Sequence, residues 1–181
     1  MAEVFAADTI KPLYSAEAIA ARVEELAHDI AAAKLENLII VAVLKGSFIF
    51  AADLIRALHR QGLDPEIDFI FLASYGSGTT GGEVKVLRDV ESDISDRDVV
   101  IVDDILDSGR TLVFAKDLLQ TRGARSVRTC ILLDKKVRRA VAVAPDYTGF
   151  HCPPVYVVGY GMDLANRYRE LPFIGVLEER P

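Results

Sequence analysis

Apolar residues along the chain repeat in two rhythms, unbroken runs and helical spacing, and the two alternate. Val99–Val102 is a continuous apolar run, the pattern of a strand covered on both faces, and turn chemistry follows at Asp107-Ser108-Gly109. From Thr111 the apolar positions Leu112, Ala115, Leu118 and Leu119 recur at helical spacing, and Gly123 supplies a stop. The same alternation comes earlier: Leu38–Leu44 reads as a buried strand, KGS as a turn, and Phe48–Leu58 as a helix ending near Gly62. Ser15 is placed to cap a first helix whose Ile19, Val23, Leu26 and Ile30 share one face that packs on a sheet. Ile67–Ala73 and Val127–Leu133 are further strand-like runs, and a last short strand is expected near Val155–Val158. The string SYGSGTTGGEVK is so rich in Gly, Ser and Thr that it predicts a mobile loop rather than a packed element. Alternating β-α-β units predict an α/β fold, a parallel sheet flanked by helices.

Composition narrows the class. At 181 residues and 51% hydrophobic, the chain is long enough for one domain with a real core. Cys130 sits inside an apolar run and Cys152 in a loop, a spacing that makes neither a metal site nor a disulfide framework and fits a reducing compartment. The first residues, MAEVFAADTIKPLYS, lack the basic and apolar segments of a signal peptide, and no apolar run reaches spanning length. A cytoplasmic protein is therefore expected. A net charge of −6 gives no overall reason to bind nucleic acid or an anionic membrane. The densest basic run, Lys135, Lys136, Arg138 and Arg139, reads as a solvated face, and His28, His59 and His151 are scattered without ligand spacing.

In a parallel sheet the loops after successive strands emerge at one edge, so the candidates can be collected. They are KGS at Lys45–Ser47, the Gly/Ser/Thr string, DDILDSGRT, DKK at Asp134–Lys136, and GYGMDLANRYR at Gly159–Arg169. Asp103 and Asp104 directly after four apolar residues suit ribose hydroxyls or a divalent metal, while Ser108–Thr111 offer N–H groups and hydroxyls to a phosphate at a helix start. Lys45 and Gly46 allow close approach to a second phosphate. Each string has a plainer reading as turn composition, and Tyr156, Asp163 and Arg169 read alone as core, cap and surface charge.

VVIVDDILDSGRT resembles the phosphoribosyl-diphosphate motif of the type I phosphoribosyltransferases. LKGS, ASYGSGTTGGEVK, LLDK and YVVGYGMDLANRYRELPFIGVL, in that order, resemble the hypoxanthine-guanine branch. The resemblance implies a purine-salvage enzyme joining phosphoribosyl diphosphate to a 6-oxopurine base with Mg2+. It also implies a single domain over 1–181, with hood elements from about 1–14 and 135–181, assembled as a homodimer or homotetramer. By position, Asp103 and Asp104 match the acidic pair on the ribose hydroxyls and Asp107 the proton acceptor near purine N7. Ser108, Gly109, Arg110 and Thr111 match the 5′-phosphate loop, and Leu44, Lys45 and Gly46 the pyrophosphate loop, where the family has a non-proline cis peptide. Lys135 matches the lysine at the C6 oxygen, with Lys136 the alternative if the loop is shifted by one. Tyr156 matches the ring stacked on the base and Val157 the backbone that reads its edge. Asp163 matches a magnesium-linked aspartate beside the base, Arg169 an arginine on pyrophosphate, and Ser74 and Tyr75 the start of a closing flap. Metal contacts are thus expected at Asp103, Asp104 and Asp163.

Three rival readings fit the chain less well. The pyrimidine-operon regulators of the same fold bind RNA and typically carry tyrosine where this chain has Asp107. Receiver-type signalling domains place paired aspartates after their first strand, not at residue 103. A non-catalytic regulator that kept the motif could lose Lys135, Asp163 or Arg169, and all three are present. Preference among hypoxanthine, guanine and xanthine stays open, because the C2 edge is expected to meet backbone groups.

Overall fold

A computed structural model describes residues 10–75, 83–136 and 139–177. The elements run β1 (Ile10–Tyr14), α1 (Ala16–Ala32), β2 (Ile39–Leu44), α2 (Phe48–Arg60), β3 (Glu66–Tyr75), β4 (Glu83–Arg88), β5 (Asp98–Leu106), α3 (Arg110–Thr121), β6 (Ser126–Asp134), β7 (Tyr147–His151), β8 (Val157–Val158) and β9 (Ile174–Leu177). A six-stranded sheet has the order β4-β3-β2-β5-β6-β7, and a separate three-stranded sheet the order β1-β9-β8. In the large sheet the pairs from β3 to β7 are parallel, and only β4 lies antiparallel to its neighbour.

The unbroken apolar runs have a simple cause, since both faces of the central strands are covered. Ile40, Ala42, Val100 and Val102 point to one core, with Ile19, Val23, Leu26 and Ile30 of α1 and Phe50, Leu54 and Leu58 of α2. Ile39, Val41, Val99 and Ile101 point the other way, onto Leu112, Ala115 and Leu119 of α3. Two-sided burial removes the alternation that a half-exposed strand would show. As expected, the Ser15 hydroxyl accepts from the Ala18 N–H at 3.2 Å and caps α1.

Several expectations need correction. Ser74, Tyr75 and Glu83–Lys85, read from sequence as loop, belong to β3 and β4, which pair as a hairpin; residues 76–82 of that string lie outside the described residues. The strand expected near Val155–Val158 is only Val157–Val158, and it pairs with β9 in the small sheet rather than extending the large one. The strand β7 was not anticipated, because YTGFH has little apolar content. It is an edge strand whose Gly149 lies so close to Leu132 that an added Cβ would come within 2.4 Å of that carbonyl oxygen. Arg22 of α1 covers the edge by donating to the carbonyls of Thr148 and Gly149 at 2.7 and 2.9 Å. Nor is Arg139 part of a solvated basic face: it is largely buried and paired with Asp134. Arg138 lies outside the described residues.

Candidate active site

The parallel strands end at one edge, and β5 carries the densest chemistry there. Asp103 is buried, Asp104 partly so, and the Asp104 N–H donates to Asp103 Oδ1 at 3.0 Å. Burial raises both carboxyls above the ordinary aspartate range; repulsion from Asp104 adds to the rise at Asp103, while the Arg169 charge opposes it at Asp104. The Asp104 carboxylate presses against Gly46, where an added Cβ would lie 1.9 Å from Oδ2, so a side chain here would have to displace that carboxylate.

Past β5 the chain turns through Asp107, Ser108 and Gly109 into α3. Gly109 adopts φ +87°, a left-handed conformation with no room for a side chain against Val143 Cγ1, and it opens the helix at Arg110. The Arg110 N–H donates to the Ser108 hydroxyl at 3.4 Å, and the helix start presents the positive end of its dipole with no acidic side chain in the first turn to neutralise it. Behind the turn, the N–H groups of Ala140 and Val141 donate to the Ser108 carbonyl at 2.9 and 3.2 Å. Asp107 Oδ1 is buried and has no hydrogen-bond partner, a costly arrangement for a carboxylate oxygen.

The loop after β2 has a cis peptide between Leu44 and Lys45. Ser47 is fully buried and donates to the Val43 carbonyl at 2.5 Å, which ties the loop back to its strand. The Lys45 ammonium lies 5.6 Å from the centre of the Phe71 ring on β3.

After β6 the Lys135 N–H donates to the Leu106 carbonyl at 3.0 Å, joining this strand end to that of β5. Lys135 is half-buried and Lys136 exposed. The buried Asp134 pairs with Arg139 and has His151 Nδ1 at 3.5 Å. Just past β7, the buried Cys152 donates its N–H to the Asp134 carbonyl at 2.9 Å; burial pushes its thiol up, with the Lys135 charge opposing and the Asp107 charge adding to the rise.

The small sheet brings the remaining residues. Val157 is buried in β8, while Tyr156 beside it is 54% exposed and donates its hydroxyl to the Asp163 carbonyl at 3.0 Å. The Asp163 carboxylate accepts from the Asn166 N–H at 2.7 Å and pairs with Arg169 at 2.7 Å. Arg169 also donates to the Gly161 carbonyl at 2.6 Å. Gly161, at φ +100°, sits on the Gly46 carbonyl, which an added Cβ would approach to 2.2 Å.

So the loop at Lys45–Gly46, the pair Asp103–Asp104, and the segment from Gly161 to Arg169 come together, although the last is the connection between β8 and β9 of the small sheet. The charges of Lys135 and Asp107 both act on the Cys152 thiol. The side chains of Ser74, Tyr75 and Glu83 lie outside the described residues. Sequence reading placed Ser47, Asp134 and Gly161 in the loops of this edge without giving them a role, and it missed Cys152 and the pairing of Asp134 with Arg139, for which no local signal exists.

Among the described residues no group of three or more His, Cys, Asp or Glu side chains forms a metal cage. The donor chemistry still suits magnesium, which is commonly held by one or two carboxylates together with substrate oxygens. Asp103 and Asp104 offer two crowded carboxylates whose mutual repulsion a divalent cation would relieve.

Comparison with known proteins agrees with this geometry. Residues 9–165 match the family model described as a phosphoribosyl transferase domain. The chain is 42% identical over 171 residues to the hypoxanthine phosphoribosyltransferase of Escherichia coli, covering 92% of this chain and 94% of that one. It is 43% identical over 173 residues to a bifunctional protein TilS/HprT of Listeria innocua, covering 94% of this chain but spanning only about a quarter (26%) of the relative's length. A hypoxanthine-guanine phosphoribosyltransferase structure from Bacillus anthracis superposes with a TM-score of 0.87 at 44% identity, covering 93% of this chain and 98% of the other.

Proposed function

The chain belongs to the phosphoribosyl transferase family, and on that premise we propose that it moves the 5-phosphoribosyl group of phosphoribosyl diphosphate onto hypoxanthine, and onto guanine, in purine salvage. The products are IMP or GMP and pyrophosphate. In the reaction purine N9 forms a bond to ribose C1′, the bond from C1′ to the pyrophosphate oxygen breaks with its electron pair leaving on pyrophosphate, and the purine sheds one proton. The single observation that carries the assignment of roles is the buried, unpartnered Asp107 Oδ1 at the foot of α3. A carboxylate oxygen held without a partner is ready to accept the proton at N7.

The other assignments follow from the same arrangement. Ser108, Gly109, Arg110 and Thr111 receive the 5′-phosphate, supported by the helix dipole whose positive end no acidic side chain opposes in the first turn. Asp103 and Asp104 receive the ribose hydroxyls. Leu44, Lys45 and Gly46 line the pyrophosphate, with Arg169 supplying a second cation from the facing segment. Lys135 is the donor to the C6 oxygen, supported by its half-buried position and its tether to Leu106, whereas Lys136 is exposed. Tyr156 offers its exposed ring for stacking and Val157 its backbone for the base edge.

Mg2+, when bound, stabilises the charge that builds on the departing pyrophosphate, and Asp103, Asp104 and Asp163 are the carboxylates that would hold it. Ser74 and Tyr75 begin a flap that excludes water from the oxocarbenium-like carbon. The small sheet and its flanking loops act as a hood on a single domain that works as a homodimer or homotetramer. A cytoplasmic location agrees with the lack, among the described residues, of any helix long and apolar enough to cross a membrane.

The test is an initial-rate comparison of hypoxanthine, guanine, xanthine, adenine and uracil with phosphoribosyl diphosphate, with and without magnesium. Turnover of hypoxanthine that requires magnesium is expected. Preference for uracil, or turnover of none of the five, would sink the reading.

A further inference from the structure

Three consecutive residues, Gly159, Tyr160 and Gly161, have φ of +96°, +49° and +100°. Glycines take such angles freely, but tyrosine does so at a cost that the surrounding structure must meet. Two bonds meet it. The Tyr160 N–H donates to the Leu171 carbonyl at 2.8 Å, and the Tyr160 hydroxyl donates to Asp53 Oδ2 of α2 at 2.6 Å. The tyrosine is 5% exposed, and burial together with the bond to Asp53 pushes its hydroxyl well above its ordinary range, so it remains a donor at working pH. Asp53 also pairs with Arg56, so its charge is balanced on its own helix.

The next residue, Gly161, makes two contacts in the site: its Cα rests on the Gly46 carbonyl, and its own carbonyl accepts from Arg169. Helix α2 begins two residues after Gly46. The hydroxyl of Tyr160 thus ties the hood segment to the helix that continues the Lys45–Gly46 loop, and it sets the distance between that loop and Arg169. From this juxtaposition we infer that Tyr160 and Asp53 are positioning residues for the pyrophosphate half of the substrate, acting through Gly161 on Gly46 and Arg169 without touching the substrate. The base contact assigned to Lys135, just past β6, lies outside this linkage. The inference rests on the reading of Lys45–Gly46 and Arg169 as the pyrophosphate side.

The experiment uses the full chain with magnesium and measures the KM of each substrate separately, alongside Tm, for Tyr160→Phe, Asp53→Ala, Asp53→Asn and the double variant Tyr160→Phe/Asp53→Ala. Tyr160→Phe and Asp53→Ala are expected to raise the KM for phosphoribosyl diphosphate by about five- to tenfold, the scale of one lost buried hydrogen bond. The KM for hypoxanthine stays within about twofold, because loss of one substrate's binding contacts moves that substrate's KM. Asp53→Asn keeps an acceptor and should stay near wild type, and the double variant should be no worse than either single one. The idea fails if Tyr160→Phe behaves as wild type, if both KM values rise together in step with a falling Tm, or if the single effects multiply in the double variant. Should the wild-type chain make no nucleotide at all, the functional reading falls separately, and calorimetric titration of magnesium phosphoribosyl diphosphate into the same variants still reads the linkage.

Discussion

Asp98 opens β5, and Asp103 and Asp104 lie toward its end, so acids of one strand can be compared across roughly 17 Å of extended chain. Asp98 is wholly provided for by the chain. Arg125 reaches it with two nitrogens at 3.1 and 2.7 Å, the Ser126 hydroxyl donates at 2.7 Å, and the Glu36 N–H donates at 2.7 Å. The Arg125 hydrogen bonds, ahead of those from Ser126 and Glu36, hold its carboxyl far below the usual range despite burial. At the other end Asp103 and Asp104 are raised, and Asp107 just beyond keeps a buried oxygen with no partner. One end spends its acid on holding strands together. The other end keeps buried acid that the chain itself pairs far less completely.

Removing an acid from each class separates them most sharply. Asp107→Asn is expected to lower kcat by about 10²–10³, while its Tm, read by calorimetry, does not fall, because the oxygen it alters has no bond to lose. Equal losses in kcat and Tm would erase the distinction. Next in size is Arg125→Ala, which strips the cation from Asp98. It should lower the urea midpoint of unfolding and leave kcat at 25 °C within about twofold. The smallest effect is in pH. Because the folded-state pKa of Asp98 lies below its unfolded value, its stabilisation is fully present above about pH 5 and is lost as pH falls through the range below 4 toward the folded value. Urea unfolding of wild type and Asp98→Asn should therefore converge on acidification. A gap that stays constant with pH would mean that Asp98 contributes through packing and not through its charge.

What could be read from the sequence follows the same division. The strands β2, β5 and β6 and the helices α1 to α3 were legible because two-sided burial and one-sided helix packing write themselves as local periodicity. The strands β1, β7 and β9 were not. They are four or five residues long and exist through pairing with chain far away, as Ile10 does with Leu177. In the site, the acids of β5 and the turn after it were legible because they form one contiguous string. The linkages were not: Tyr160 to Asp53 spans 107 residues and Glu36 to Asp98 spans 62, and no local pattern reports such a distance. Arg139 was misread because a basic run looks solvated until the burial of Asp134 beside it is known.

The antiparallel ladder of β1 and β9 has a mechanical consequence. Its register runs from Ile10 opposite Leu177 to Tyr14 opposite Ile174, so both outward-leading strand ends leave from the same end of the ladder. Tension applied between Ile10 and Leu177 would peel the two strands apart one rung at a time instead of loading all rungs together. The small sheet would open first, withdrawing β9 from β8 and its Val157, while the parallel strands beneath, stitched along their length into two cores, still carried the acids of β5.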